Sequence, residues 1–169
     1  KACFPHQRQR KGGECKMKIA LAGNPNSGKT SIYNLLTGKN EKVGNWAGVT
    51  VDKKEYPLKK RYAPNNMGIC IVDLPGAYSM SAFTKEEQIT GDFIKKERPD
   101  AIINIVDSTN LRRSLFFTTQ LLELGIPVIV ALNKSDINDK RNNEIDENAL
   151  SKYLMCPVVK TSSRGGRGL

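Results

Sequence analysis

The stretch G-N-P-N-S-G-K-T, Gly23 to Thr30, restricts the fold of this chain more than any other feature. It follows M-K-I-A-L-A (Met17–Ala22), which alternates and then turns apolar as a strand does. It runs into Lys29–Leu36, which reads as a helix that Gly38 can end. Strand, glycine loop and helix in that order fill the pattern G-x-x-x-x-G-K-[ST] in the context it requires, which argues against a chance glycine loop. Glycines let backbone N–H groups turn inward around an anion, and the helix N-terminus adds positive potential. Lys29 reaches phosphate oxygens as a point charge. Thr30 offers a hydroxyl to Mg²⁺, which prefers oxygen ligands. The loop therefore predicts a nucleotide phosphate site built from Gly23, Asn24, Pro25, Asn26, Ser27, Gly28, Lys29, Thr30 and Ser31.

The rest of the chain reads as further strand and helix alternation. Residues 37–49 have no period and read as a mobile loop, and Thr50–Leu58 reads as a strand. Pro64, Asn65 and Asn66 mark a turn into the strand Ile69–Asp73. Leu74–Phe83 reads as irregular and Thr84–Glu97 as a helix stopped before Pro99. Strands are expected at Ala101–Asp107, Val128–Asn133 and Val158–Thr161, and helices at Leu111–Leu124 and Asp146–Leu154. This order predicts an α/β fold of three layers, a mostly parallel sheet with helices on both faces, as in P-loop nucleoside triphosphatases of the Ras-like type. Ligands of such sheets bind at the carboxyl ends of the strands, so the chemistry belongs in the loops that follow them.

Those loops carry three more motifs. D-L-P-G at Asp73–Gly76 ends a strand with a carboxylate that can hold Mg²⁺ through water, and the Gly76 N–H can sense a γ-phosphate. N-K-S-D at Asn133–Asp136 selects the base: the Asp136 carboxylate can accept from the N1–H and N2 amino group of guanine, a donor pair adenine lacks. Asn133 can tie this loop to the phosphate loop, and the Lys134 stem can pack over the purine. Ser162 and Ser163 stand where a last loop can touch the guanine through backbone N–H groups. Thr50, after the irregular stretch and before a strand, is placed to close onto Mg²⁺ and γ-phosphate, as a switch does. Thr37 is a rival, but it sits too near the end of the first helix to reach around. Each short motif is weak alone, and their order along the chain gives them weight.

Composition limits the partners. With 38% hydrophobic and 26% charged residues in 169, the chain can bury an ordinary core. The longest strongly apolar run, Ile126–Leu132, is far short of the roughly 20 residues a membrane helix needs. The N-terminus lacks the apolar stretch of a secretory signal. The formal charge of +10 has one concentration in residues 1–18 and another at Lys53, Lys54, Lys59, Lys60 and Arg61. Nucleic acid, an anionic membrane face or a solvated basic surface can each account for it. Cys3, His6 and Cys15 fit no zinc spacing well, and Cys70 lies in an apolar run, so free thiols and a cytosolic setting are expected.

The motifs together with G-N-W-A-G-V-T (Gly44–Thr50), D-L-P-G-A-Y-S (Asp73–Ser79) and V-D-S-T-N-L (Val106–Leu111) resemble the cytosolic G domain of the bacterial ferrous iron transport protein B family, FeoB. The resemblance covers about residues 17–169 and leaves 1–16 as a polar basic leader. It implies GTP binding and hydrolysis that regulates or powers ferrous iron transport, with Mg²⁺ and K⁺ as ions. It adds Gly48, Val49 and Thr50 to the nucleotide contacts. It places K⁺ on Asn26 and on the backbone carbonyls of Gly44 and Trp46. Lys29, Thr50, Gly76 and Asn26 are then the residues of the reaction, and Thr30, Thr50 and Asp73 those around Mg²⁺.

Ala77 stands where many GTPases carry a glutamine that orients water, so slow, potassium-stimulated hydrolysis is expected, with water placed by the Gly44–Thr50 loop. Tyr78, Glu86 and Glu87 are weaker candidates for that task. The sequence departs from the family at Lys134, where methionine is common, and at Ala47, where proline is frequent. The family continues into a helical and then a membrane domain, so the chain reads as a truncated G domain at the cytoplasmic face of the bacterial inner membrane. Its expected partners are guanine nucleotide, the transporter's membrane domain and anionic lipid, and no nucleic acid. The competing readings are an RNA- or ribosome-associated Era-like GTPase, and a nucleotide-sensing switch with incidental turnover. Against the first, the chain has no aromatic and basic interleaving.

Overall fold

Alternation of apolar side chains between the two faces of a strand is what gives this sheet two cores. The computed structural model describes residues 15–38, 43–45, 52–64, 67–141 and 143–169. β1 (Met17–Gly23), β4 (Ile69–Asp73), β5 (Ala101–Asp107) and β6 (Val128–Asn133) form its centre. Ala20, Ala22, Val72, Ile102, Val106, Val130 and Leu132 point to one face, where they meet Phe93 and Ile94 of α2 (Lys85–Glu97) and Phe117 and Leu121 of α3 (Leu111–Leu122). Leu21, Ile71 and Ile105 point to the other, against Ile32, Tyr33 and Leu36 of α1 (Lys29–Thr37). Leu150 and Leu154 of α5 (Glu147–Leu154) pack against the first core.

Among the described residues the sheet has seven strands, in the order β2-β3-β4-β1-β5-β6-β7. The central pairs and β6–β7 (β7, Val158–Lys160) are parallel, whereas β2 (Val43–Asn45) and β3 (Asp52–Pro57) join as an antiparallel pair on one side. The expected three-layer α/β fold is therefore the observed one. Parallel pairing of β1 with both β4 and β5 puts Gly23, Asp73 and Asp107 at one edge of the sheet.

The helix limits follow local chemistry. Gly38 ends α1 in the left-handed region (φ 92), as expected from its place after the apolar period. Thr84 caps α2: its hydroxyl accepts from the Glu87 N–H while the Glu87 carboxylate accepts from the Thr84 N–H. Asp146 caps α5 by accepting from the N–H groups of Asn148 and Ala149.

Three expectations need correction. Val43–Asn45, within the stretch read as a loop, is a strand held by pairing with β3. A short helix, α4 (Ser135–Lys140), begins inside the N-K-S-D motif. Cys15 and Cys70 are not free thiols: they are joined as a disulfide, with Cα atoms 5.5 Å apart. The Lys16 N–H donates to the Gly68 carbonyl at 2.7 Å, which lays the segment before β1 beside β4. Cys156 is a free, buried thiol. Among the described residues no helix is long and apolar enough to cross a membrane.

Candidate nucleotide-binding site

The loop between β1 and α1 has glycine where nothing larger fits. A Cβ on Gly23 would stand 2.5 Å from the Ile105 carbonyl oxygen. One on Gly28 (φ 90) would stand 2.1 Å from Asn133 Nδ2. Asn26 also adopts the left-handed region, at φ 64, which suits asparagine better than most residues. Asn24 Oδ1 and Ser27 Oγ are buried and have no hydrogen-bond partner among the described residues. Buried polar atoms of this kind are costly unless a ligand or water meets them. A cleft of about 640 Å³ opens over the loop, lined by Pro25, Asn26, Lys29, Thr30 and Ser31 on one side and by Gly76, Tyr78 and Glu86 on the other.

Lys29 Nζ donates to Asp73 Oδ1, joining the first and second motifs in a largely buried ion pair. The Ala77 N–H donates to the Gly23 carbonyl at 3.2 Å, and Gly76 sits so close to Pro25 that an added Cβ would meet it at 3.1 Å. The segment after Asp73 thus lies flat against the phosphate loop. Ala77 is 1% exposed and projects no side chain into the cleft. Glu87 acts on this segment from beneath: its carboxylate accepts from the Tyr78 and Ser79 N–H groups at 3.2 Å each. The Tyr78 ring lies under the Arg113 guanidinium, 4.1 Å from ring centroid to Cζ.

The third motif closes the arrangement. Asn133, fully buried, donates from Nδ2 to the Ser27 carbonyl at 2.8 Å and accepts at Oδ1 from the Ser163 N–H at 3.1 Å. One side chain therefore links the phosphate loop, the end of β6 and the loop after β7. Ser162 Oγ donates to Asp136 Oδ1 at 2.8 Å, which orients the carboxylate. Ser135 donates from Oγ to the Thr161 carbonyl at 2.9 Å and fixes the same two loops together.

Asp107 was missed as part of this site. Its carboxylate accepts from Lys134 Nζ at 2.6 Å and from the Thr109 N–H and hydroxyl. Burial acts to raise its pKa, but these donors outweigh it and hold the carboxyl below its ordinary value. The signal was present, since Asp107 ends an apolar strand at the same sheet edge as Asp73. Ser108, one residue on, accepts at its carbonyl from Asn138 Nδ2 at 2.8 Å and so anchors α4.

The described residues bring together Gly23–Ser31, Asp73, Gly76, Asn133, Lys134, Asp136, Ser162 and Ser163. Gly44 lies in β2, in register with Lys53. Trp46, Gly48, Val49 and Thr50 lie outside the described residues.

Residues 17–169 match the family model described as ferrous iron transport protein B. The chain belongs to the ferrous iron transport protein B family. It is 49% identical over 158 residues to the Fe(2+) transporter FeoB of Salmonella typhimurium strain LT2, an alignment that covers 91% of this chain and 20% of that protein. The chain thus spans about a fifth of the length of the curated FeoB relatives it matches. Among solved structures, the cytosolic domain of L. pneumophila FeoB is 42% identical with a TM-score of 0.83, covering 89% of this chain and 59% of that one. S. thermophilus NFeoB bound to GDP, AlF4⁻ and K⁺ is 50% identical with a TM-score of 0.78, covering 90% and 57%. The fold is that of the FeoB G domain, a P-loop GTPase fold.

Proposed function

We propose that this FeoB-family chain binds GTP at the cleft over Gly23–Ser31 and hydrolyses it slowly, with K⁺ stimulating the reaction. The observation that carries the reading is the Asn133 side chain, which joins the phosphate loop to the base-side loops. Ser162 also orients the Asp136 carboxylate, which supports reading Asp136 as the group that selects guanine. The relative bound to GDP, AlF4⁻ and K⁺ supports the choice of nucleotide and monovalent ion.

The residues suit the groups assigned to them. The Lys29 ammonium takes phosphate oxygens, and the Asn24 and Ser27 oxygens buried in the loop turn to the ligand or its water. The Asp73 carboxylate and the Thr30 hydroxyl form a hard oxygen donor set of the kind Mg²⁺ takes. Asn26, held at φ 64 on the exposed rim, offers a neutral amide oxygen suited to K⁺, with the Gly44 and Trp46 carbonyls as the proposed partners. Bound there, the two cations would supply positive charge against phosphate oxygens as the γ-phosphoryl departs. Gly76 donates its N–H toward that phosphoryl group, and Thr50 closes the site from the Gly44–Thr50 loop. Ala77 has no group to orient water, which accounts for slow turnover and leaves water placement to backbone groups.

In the whole transporter we assign this domain to regulating or powering ferrous iron transport from the cytoplasmic face of the bacterial inner membrane. Residues 1–16 are then a leader and 17–169 the G domain. The membrane domain is its partner, and the basic surface faces anionic headgroups.

GTP hydrolysis measured in KCl and in NaCl tests the reading. A rate higher in KCl by about tenfold or more is expected, and equal rates would remove Asn26 from the potassium site. Asp136→Asn should weaken GTP binding by roughly a hundredfold, as expected when a charged hydrogen-bond partner of the base is lost. The same variant should gain affinity for xanthine nucleotides, and GTP affinity left intact would contradict the base assignment.

A further inference from the structure

β1, β4 and β3 lie side by side, and their register sets Lys18 beside Cys70 and Glu55 beside Val72. Lys18, Cys70 and Glu55 consequently share one face near the start of β4. The Lys18 ammonium reaches over β4 to the Glu55 carboxylate at 3.4 Å. The segment before β1 turns back through its bond to Gly68 and brings Cys15 onto the same spot. The two sulfur atoms and a Glu55 carboxylate oxygen all lie within 4.8 Å of one another. Cys70 is buried, and Cys15 and Glu55 are partly so.

The Lys18 ammonium holds the Glu55 carboxylate here, and the carboxylate oxygen adds a third donor to the two sulfur atoms. A tetrahedral zinc-class ion takes thiolates at about 2.3 Å and a carboxylate at about 2.0 Å. Its neighbouring ligand atoms are then roughly 3.5 Å apart. Donors already gathered this closely reach such a geometry by side-chain rotation alone. We propose that, with the Cys15–Cys70 bond reduced, Cys15, Cys70 and Glu55 bind a thiophilic divalent cation of the zinc class. Thiolate donors favour Zn²⁺ and Co²⁺ over Mg²⁺ and Ca²⁺, which take oxygen. Charge also closes: two thiolates and one carboxylate are balanced by a divalent ion and the Lys18 ammonium. Water takes the fourth position. The site lies toward the opposite ends of β1 and β4 from Gly23 and Asp73, so it is separate from the nucleotide cleft.

The test uses the full chain, first treated with a water-soluble phosphine. The disulfide takes two electrons from phosphorus and two protons from a water molecule whose oxygen leaves on the phosphine oxide. Co²⁺ is then titrated in. The reduced chain should bind a single Co²⁺, with thiolate-to-metal charge-transfer absorption and the intense visible bands of tetrahedral cobalt, and Zn²⁺ should displace it. Cys15→Ser should abolish the charge-transfer band. Cys15 lies ahead of β1, so its metal-free melting curve and guanine-nucleotide binding should match those of the reduced parent. Glu55→Gln should keep thiolate absorption but weaken Co²⁺ binding by at least about tenfold. Cys3→Ser should bind as the parent does. No band in the reduced chain would overturn the proposal, as would a band before reduction or a band surviving Cys15→Ser. Unchanged affinity in Glu55→Gln or loss of the band in Cys3→Ser would overturn the ligand set.

Discussion

Asp107 does its work through other residues. It holds the Lys134 ammonium at 2.6 Å, and so fixes the position between Asn133 and Asp136. Lys134 itself sits at φ 64, a backbone conformation that needs support in a residue with a long side chain. Because its carboxyl is held below the ordinary value of 3.8, the unfolded chain takes up this proton at a higher pH than the folded one. The Asp107 bonds therefore stabilise the fold above that ordinary value, and their contribution fades as pH falls from there through the folded value. Asp107→Asn should lower stability at neutral pH by about 1 kcal/mol. It should also flatten the acid limb of the urea midpoint plotted against pH. A midpoint and acid limb identical to the parent's would contradict this account.

At the scale of the element, α2 and the segment before it are one unit. Thr84 and Glu87 cap each other, and Glu87 also holds the Tyr78 and Ser79 N–H groups. Thr84→Ala should cost about 1 kcal/mol, the ordinary value of a lost cap. Glu87→Ala should cost more, about 2–3 kcal/mol, because it also leaves two N–H groups without an acceptor. Urea unfolding of both variants measures the difference, and equal losses would separate the segment from the helix.

Elements of this kind were legible where chain neighbours determine them. Gly38 after an apolar period ends α1, and largely apolar runs, broken by Asn104 in β5, make β5 and β6. What escaped depends on partners distant in sequence. β2 is a strand because β3 pairs with it. α4 has six residues, too few to show a period, and is anchored by Ser108 from another loop. The Cys15–Cys70 contact joins residues 55 apart, with no local pattern to announce it. In the candidate site, Asn133 could be named because a polar residue closing an apolar strand stands out, and Asp136 by its spacing from it, whereas Asp107 needed the parallel β5–β6 register to bring it to Lys134.

For the whole molecule, the candidate nucleotide loops follow β4, β1, β5, β6 and β7, five adjacent strands, so binding at the loops should stabilise most of the sheet. GDP at about 100 times its dissociation constant should add about 2.7 kcal/mol to unfolding stability. That raises the melting temperature by roughly 5–10 °C for a chain of this size. Scanning calorimetry with GDP, and with ADP at the same concentration, checks the claim. An equal rise with ADP would contradict guanine selectivity.

Among the described residues the sheet has two lateral margins, each formed by three residues: Val43–Asn45 on one side and Val158–Lys160 on the other. An unpaired margin is a template on which another chain can lay a strand, and the danger grows with its length. Three residues present too few free N–H and C=O groups to hold a stranger in register. The long apolar strands that would aggregate if exposed, β1, β5 and β6, each have a neighbour on both sides. Among the described residues, brevity at the rim thus protects a strongly apolar interior from edge-to-edge association.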